Sequence, residues 1–315
     1  MKSKSSVTAR KSVTAGLMFG ALGVLAFSMS LPATRVAVRD LDPWFVAFGR
    51  AVVAAGLAWA YLRFTNTPRP TARQWRRLSF VALGVVVGFP LLTSLALTTQ
   101  TSAHGAVVIT VLPAMTAVFA VLRAGERPPP LFWVASLGGL IAVLTFLVAT
   151  GAVEGALSSA DLLLLAAVVL CGLGYAEGGA LARELGGART ICWALILSLP
   201  VTVPFTLVAA AVHPPVAGPT AWTALGYPAA VSMFLGFFAW YAGLARGGVA
   251  RVGQIQLGQP VLTLLWSALL LAESVNAASI AAALVVLGCV VLTQRTRSGR
   301  SHLRPEAPAA APSRH

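Results

Sequence analysis

The residues of this chain that could take part in chemistry are a few polar side chains set inside long apolar stretches. Gln256, Gln259 and Thr263 follow one another at i, i+3 and i+7, a spacing that places them on one face of a helix. Arg50 lies about two helical turns inside another apolar stretch. Such groups either bind a polar ligand or make structural contacts with neighbouring helices and carbonyl groups. We predict that these four residues bind a small-molecule substrate, and we keep structural contacts as the alternative.

Two titratable side chains could carry a proton. Glu177 is an acidic residue well inside an apolar stretch, and His104 opens another stretch with a side chain that titrates near neutral pH. Both are candidates for proton coupling, with an interfacial structural role as the alternative. The three cysteines, Cys171, Cys192 and Cys289, show no spacing typical of a metal site. We therefore expect neither a metal nor a cofactor.

The apolar stretches that hold these residues dominate the chain. Apolar residues make up 57% of its 315 residues and charged residues only 10%, compared with about 25% charged residues in soluble domains. Ten stretches approach the roughly 20 apolar residues that cross a bilayer as a helix. They span residues 13–31, 44–64, 77–97, 103–122, 131–149, 160–180, 190–211, 222–244, 252–271 and 276–293. The sequence therefore predicts an all-α polytopic membrane protein with ten transmembrane helices in the lipid bilayer.

Proline, aromatic and glycine residues indicate how these helices end and pack. Pro32 follows the first stretch and is expected to end its helix. Trp240 and Tyr241 lie near the end of the eighth stretch and are interpreted as interfacial aromatic residues. Glycines one turn apart, such as Gly84 and Gly88, are expected to let helices approach closely.

Positive charge is distributed unevenly between the two sides of the predicted bundle. The net charge of +14 would indicate a nucleic-acid partner if it formed a patch on a folded surface, but Lys and Arg lie in short segments between the stretches. With a cytoplasmic N-terminus, 20 of the 23 Lys and Arg residues fall on the cytoplasmic side and two, Arg35 and Arg39, on the other. The positive-inside rule then predicts a plasma or inner membrane protein with both termini in the cytoplasm and no nucleic-acid partner.

An internal repeat is the strongest signal in the sequence. Residues 95–126 and 242–273 align with a shift of 147, which places Pro113 on Pro260 and Glu126 on Glu273. Each segment is a loop, an apolar helix with a central proline, and a glutamate that ends it. We predict that the prolines are hinges, with static kinks as the alternative. The glutamates are predicted to end their helices and to bind loop amides.

Five stretches in each repeat force the two repeats into opposite orientations across the membrane. Inverted repeats are typical of alternating-access transporters, with the substrate near the midplane between the halves. The predicted organisation is a cytoplasmic tail at 1–12, a five-helix repeat at 13–149, a linker at 150–159, a second five-helix repeat at 160–293 and a disordered basic cytoplasmic tail at 294–315.

The chain resembles the EamA group of the drug/metabolite transporter superfamily. The resemblance rests on Asp42-Pro43 before a second helix with Arg50, and on the proline-bearing segments that close at 124–126 and 271–273. It implies a central cavity lined by the first, third, fourth, sixth, eighth and ninth helices. One departure is Ala272, which stands where the family usually has a glycine.

Two classes of function compete for this sequence. A membrane-embedded enzyme acting on a lipid-linked substrate needs acids, histidines or a nucleophile clustered at one depth, and of nine acidic residues only Glu177 lies deep. A P-loop motif is absent from the sequence, so we expect no ATP. We predict a secondary transporter of small organic metabolites or drugs, acting as an exporter; monomer and homodimer both stay open.

Overall fold

The computed structural model describes residues 2–127 and 158–272, with side chains from Ser12 onward, and single positions between 130 and 141 and between 277 and 288. Within these residues it contains helices and no strand, and eight helices are long and apolar enough to cross a membrane. They are α1 (Ser12–Asp40), α2 (Pro43–Phe64), α3 (Ala72–Ala96), α4 (Ser102–Ala124), α5 (Ser159–Leu185), α6 (Gly187–Val212), α7 (Pro219–Gly247) and α8 (Val249–Leu271). The predicted all-α polytopic class is confirmed.

These helices correspond to the predicted first to fourth and sixth to ninth stretches. The predicted fifth and tenth stretches lie largely outside the described residues, and so do Glu273 and Cys289. Helices α1 to α4 therefore belong to the first repeat, and α5 to α8 belong to the second.

Helix α1 is longer than the sequence predicted. Its helical backbone begins before the apolar span, at Lys2, and forms the segments Lys2–Ser28 and Ser30–Asp40, which meet at a break at Met29. The expectation that Pro32 ends the helix was wrong, because Pro32 lies in the first turn of the second segment, where no intrahelical N–H bond is needed. The missing N–H of Pro32 leaves the carbonyl of Ser28 without its usual i+4 donor.

Helices α3 and α7 share a rare irregularity. Both contain a π-helical segment, the less common winding that accommodates an extra residue in a turn. The segments are Ala82–Gly88 in α3 and Pro228–Gly236 in α7. A shift of 147 residues carries the first onto the second within about one residue. The two repeats therefore share backbone geometry as well as sequence periodicity.

Helices α4 and α8 are also interrupted at equivalent places. Helix α4 leaves regular α-helical geometry after Ile109 and resumes it at Leu112. Helix α8 contains the 3-10 segment Gln254–Gly258 and resumes α-helical geometry at Gln259. In each helix a proline is the second residue of the resumed segment, where its missing N–H is tolerated. Both helices then end on a left-handed residue: Gly125 has φ 66° and Ala272 has φ 51°.

The main helix contacts cross between the repeats. Helix α1 packs on α7, α3 on α5 and α2 on α6, and the first half of α4 packs on the second half of α8. Gly84 permits the closest of these approaches, since a Cβ atom there would lie 2.4 Å from the carbonyl oxygen of Leu170 and 2.9 Å from the Cα of Gly174. The antiparallel packing of α4 and α8 is what an inverted pair of repeats requires.

Trp240 and Tyr241 lie in this core and not at an interface, so their predicted role was wrong. Both are 0% exposed, and the Tyr241 hydroxyl donates to the carbonyl of Gly174 at 3.1 Å. Gly23 and Gly178 leave the space these rings occupy, because a Cβ at either position would meet Trp240 or Tyr241 at 3.0 Å or less. Glycines on neighbouring helices thus allow large aromatic side chains inside a tight bundle.

Candidate functional site

A cavity lies between the two repeats and is lined by residues of both. About 50 Å³ of the cavity is open to water-sized molecules, which is room for a few molecules of that size. A larger ligand therefore requires the helices to separate. Its lining comes from six helices, namely α1, α2, α3, α5, α7 and α8. The lining residues are Phe27, Ser30, Leu31, Arg50, Val85, Phe89, Pro90, Cys171, Tyr175, Pro228, Ser232, Met233, Phe237, Gln256 and Gln259.

The helices around the cavity differ in one respect from those the sequence resemblance implied. Helix α2 contributes Arg50 to the lining, and α4 contributes none of the lining residues. Helix α4 instead packs behind α5, where a Cβ on Gly172 would lie 3.0 Å from Met115. The expectation that α4 lines the cavity was therefore wrong. The backbones of α4 and α5 approach so closely that no open space remains between these two helices.

Arg50 is the charged residue of the cavity lining. Asp42 caps the first turn of α2 by accepting from the backbone N–H groups of Trp44 and Phe45, which fixes the depth at which Arg50 leaves the helix. Arg50 is 4% exposed, and its Nη1 donates to Thr34 Oγ1 at 3.0 Å. Within the described part of the chain its Nε has no hydrogen-bond partner and its guanidinium forms no ion pair. The side chain therefore faces the cavity and does not extend to the membrane surface.

Gln256 and Gln259 supply amide groups on the opposite wall of the cavity. Gln256 Nε2 donates to the Tyr175 hydroxyl at 3.2 Å and to Gln259 Oε1 at 3.3 Å. Gln256 Oε1 is buried and has no partner among the described residues. An unsatisfied buried acceptor is costly, so this oxygen is available to a ligand that carries an N–H or O–H group.

Thr263 does not line the cavity, although the sequence placed it on the face of Gln256 and Gln259. Its Oγ1 donates to the carbonyl of Ser28 at 2.7 Å, the carbonyl that Pro32 leaves without a backbone donor. Trp266 adds a second bond from its Nε1 to Ser28 Oγ at 3.0 Å. Thr263 therefore stabilises the break in α1 and is not one of the residues that line the cavity.

Comparisons with known proteins decide the family. The model of the EamA-like transporter family matches residues 14–148 and again residues 158–294. The chain belongs to the EamA-like transporter family. It is similar to "Uncharacterized transporter YdeK" of Bacillus subtilis (strain 168), with 46% identity over 244 residues that cover 75% of this chain and 82% of the relative. The predicted resemblance is confirmed, and family membership makes the protein a transporter and not an enzyme.

More distant relatives agree with this assignment. An "Uncharacterized transporter" of Archaeoglobus fulgidus is 23% identical over 232 residues, which cover 72% of this chain and 78% of the relative. A crystal structure at 17% identity superposes with a TM-score of 0.69 and covers 92% of this chain and 99% of the other. At that identity the superposition shows the shared fold alone.

Glu177 of this EamA-like transporter lies at the arginine-rich end of the bundle, away from the cavity. Its Oε2 accepts from Arg77 Nε at 2.8 Å and its Oε1 from Arg123 Nε at 2.5 Å, and the carboxylate is 2% exposed. Each carboxylate oxygen of Glu177 therefore accepts from a different guanidinium group. The network ties α3 and α4 of the first repeat to α5 of the second.

Glu126 joins the same end of the two repeats through backbone groups. Its carboxylate oxygens accept from the N–H groups of Val249 and Ala250 at 2.8 Å each, and Oε1 also accepts from Arg183 at 2.7 Å. The carboxylate thus caps the first turn of α8, where a negative charge is favoured by the helix dipole. Glu126 follows the end of α4, and the amides that it binds belong to a helix of the other repeat and not to a loop.

His104 lies at the opposite end of the bundle and pairs with Asp161. Its Nε2 lies 2.7 Å from Asp161 Oδ1, and Asp161 also accepts from the N–H and hydroxyl of Ser158. Sequence reasoning missed this partner, although Ser158 and Asp161 form the S-x-x-D pattern that marks a helix start. The pair joins α4 of the first repeat to α5 of the second.

Pro113 and Pro260 lie at the breaks of α4 and α8. Pro260 directly follows Gln259, so the irregular backbone of α8 lies next to the cavity wall. Pro113 lies at the equivalent position of α4, away from the cavity lining. The breaks give both helices a point where they can bend, and the use of these points as hinges stays a prediction.

Proposed function

We propose that this protein is a secondary transporter that exports a small organic solute carrying an acidic group. The observation that carries the proposal is Arg50, a buried guanidinium that lines the cavity and forms no ion pair within the described residues. A buried charge without an opposite charge is strongly unfavourable, and an acidic solute would supply the opposite charge while bound.

The rest of the cavity supports a solute with an apolar body. Phe27, Phe89, Met233 and Phe237 make most of its wall apolar, which favours burial of hydrocarbon or aromatic groups. The free Oε1 of Gln256 favours a ligand that also donates a hydrogen bond. A solute that combines an acidic group, a donor group and an apolar body matches these three features.

We infer that transport proceeds by alternating access between the two repeats. The broken helices α4 and α8 and the π-helical segments of α3 and α7 occur at equivalent positions, so the two halves can exchange conformations of similar energy. Pro113 and Pro260 are the proposed hinges. In the present conformation the arginine-rich end is tied together by the contacts of Glu126 and Glu177.

The orientation and the driving force belong to the same proposal. The excess of Lys and Arg supports a cytoplasmic location for the arginine-rich end and for both termini. Export would then begin when the contacts at that end open. A P-loop motif is absent from the sequence, and we propose a proton or solute gradient as the energy source. His104, paired with Asp161, is the stronger coupling candidate, because Glu177 is held between two guanidinium groups.

The first experiment is a ligand screen on purified protein. Melting temperatures are measured with small organic acids and, as matched controls, with their neutral amides, since a ligand that binds only the folded protein raises stability by RT ln(1 + [L]/Kd). We expect stabilisation by one group of acids and no effect of the amides. Efflux of the best acid from proteoliposomes then tests transport.

Two outcomes would contradict the proposal. Equal stabilisation by acids and amides would remove Arg50 from substrate recognition. The second outcome is an acid that binds but is not transported. If this acid neither leaves nor enters proteoliposomes under a proton gradient or a solute gradient, secondary transport is contradicted. Uptake that greatly exceeds efflux in oriented vesicles would reverse the proposed direction alone.

A further inference from the structure

A second pocket lies at the arginine-rich end, separate from the central cavity. It has a volume of about 460 Å³ and is formed by the first turns of α3 and the last turns of α4 and α5. Five guanidinium groups line it, from Arg73, Arg76, Arg77, Arg123 and Arg183. We propose that this pocket, the arginine pocket, binds a phosphate group.

The charge balance of the arginine pocket favours an anion. Its lining holds two carboxylates, Glu177 and Glu184, against the five guanidinium groups, and Arg183 is also paired with Glu126 beside the pocket, which leaves an excess of two positive charges. Arg73 and Arg76 are exposed and form no ion pair among the described residues. A ligand with one or two negative charges reduces the repulsion among these arginines.

The arginines of the pocket are also held in place before any ligand binds. Glu177 accepts from the Nε atoms of Arg77 and Arg123, so both guanidinium groups are held at this nitrogen. The Arg123 guanidinium also lies 4.7 Å from the centre of the Phe80 ring. The terminal nitrogens of Arg123 have no carboxylate partner within the described chain. Arg77 also donates from its Nη1 to Glu184 at 3.2 Å. A fixed guanidinium group with free terminal N–H groups, as at Arg123, matches the oxygens of a phosphate.

The site lies where the basic surface meets the apolar surface of the bundle. Leu122 lines the pocket and is 69% exposed, and Phe80 lines its other side. A phosphate group could therefore come from the headgroup of an anionic phospholipid or from a soluble phosphate ester. Both sources present the same chemistry to the arginines, and the experiment distinguishes them.

A bound phosphate would contact helices of both repeats. Arg73 and Arg76 belong to α3 and Arg123 to α4 in the first repeat, whereas Arg183 belongs to α5 in the second. A ligand that bridges these helices binds best while this end is closed, so it shifts the equilibrium toward the closed end. A phosphate-bearing lipid or ester bound in the arginine pocket would thus favour one of the two conformations needed for transport.

The test measures binding to the detergent-solubilised full-length protein. Phosphatidylglycerol, phosphatidylcholine and glycerol 1-phosphate are titrated separately, and the melting temperature gives an apparent Kd for each. The variant is Arg73→Gln/Arg76→Gln, at exposed positions that leave folding intact. The control is Arg63→Gln/Arg69→Gln, which removes the same charge from exposed positions outside the pocket at the same end.

We expect phosphatidylglycerol to stabilise the wild type, phosphatidylcholine to have no effect, and the pocket variant to raise the apparent Kd at least about tenfold while the control changes it less than about twofold. Stabilisation by glycerol 1-phosphate as well would identify a soluble phosphate ester as a source, and no effect of it would identify the lipid. Equal weakening in both variants, or stabilisation by neither phosphatidylglycerol nor glycerol 1-phosphate, would overturn the proposal.

Discussion

The two repeats of this transporter share their backbone but not their chemistry. The π-helical segments, the breaks before Pro113 and Pro260 and the left-handed ends at Gly125 and Ala272 all recur with a shift of about 147 residues. Each feature is one that proline, glycine or an extra residue in a turn imposes on the main chain. The two repeats therefore share the main-chain irregularities that shape their helices, even where the residues differ.

Three polar side chains of the cavity lack a polar counterpart at the equivalent position of the other repeat. The shift of 147 pairs a polar residue with an apolar one at three places, namely Arg50 with Leu197, Gln256 with Ile109 and Gln259 with Leu112. Two inverted halves can exchange conformations only if their backbones are alike, but a ligand is bound by an asymmetric set of groups. The difference teaches that movement and recognition depend on separate sets of residues, which separate variants can test.

The largest effect is expected when Arg50 is replaced by the residue of the other repeat. Arg50→Leu removes the guanidinium from the cavity, and transport of an acidic solute should fall at least about 100-fold in kcat/KM, as for the loss of a buried charge pair. Folded yield and melting temperature should not fall, because an uncompensated buried charge is removed. Initial rates in proteoliposomes and thermal unfolding measure the two quantities.

Arg39→Leu is the matched control for this prediction, since Arg39 is exposed and lies outside the cavity. Normal transport by the Arg50 variant would show that the guanidinium only stabilises Thr34 and the end of α1. Loss of folded protein with loss of transport would likewise assign Arg50 a structural role.

The second prediction disturbs the backbone that both repeats share. Gly84→Ala places a methyl group 2.4 Å from the carbonyl oxygen of Leu170, and α3 and α5 must separate. Overpacking of this kind costs about 1–3 kcal/mol, which should appear as a lower melting temperature in detergent. Gly56→Ala is the control, because nothing lies within 4 Å of the added methyl group. Equal effects of the two changes would contradict close packing as the role of Gly84.

Much of the shared backbone geometry could be predicted from the sequence, because the residues that cause it act locally. Prolines and glycines act on their own helix, so the positions of Pro113 and Pro260 predicted where α4 and α8 leave regular geometry. Long apolar stretches likewise predicted the eight spans, since a bilayer selects helices by length and composition.

The contacts of the site were less predictable, because they join segments far apart in the chain. Thr263 was assigned to the cavity from its spacing to Gln259, but its partner is a Ser28 carbonyl that Pro32 leaves free. His104 and Asp161 are 57 residues apart, and Glu177 lies 54 residues from Arg123. A single sequence gives the spacing within one helix and no distance between helices.

The third prediction makes the second repeat chemically like the first. Gln256→Ile removes an amide from the cavity wall, and the KM for a ligand that donates to Gln256 should rise about tenfold, the equivalent of one buried hydrogen bond. Gln254→Val is the matched control, because Gln254 is buried but does not line the cavity. Binding affinity from melting temperatures checks the result. If Gln254→Val weakens binding as much as Gln256→Ile, the glutamines serve helix packing and not recognition.

The smallest effect is expected at the left-handed helix ends, where the shared backbone carries an alanine in one repeat and a glycine in the other. Ala272 adopts the left-handed conformation that Gly125 adopts in the first repeat, and an alanine is less stable there than a glycine by about 1 kcal/mol. Ala272→Gly should therefore raise the melting temperature by about 2 °C, and Gly125→Ala should lower it by a similar amount. No atom lies within 4 Å of a methyl group at Gly125, so the expected loss comes from the backbone alone.

The double variant moves the glycine between repeats and should melt near the wild type, because distant effects add. A lower melting temperature for Ala272→Gly would show that the methyl group of Ala272 makes a contact that outweighs its strained backbone.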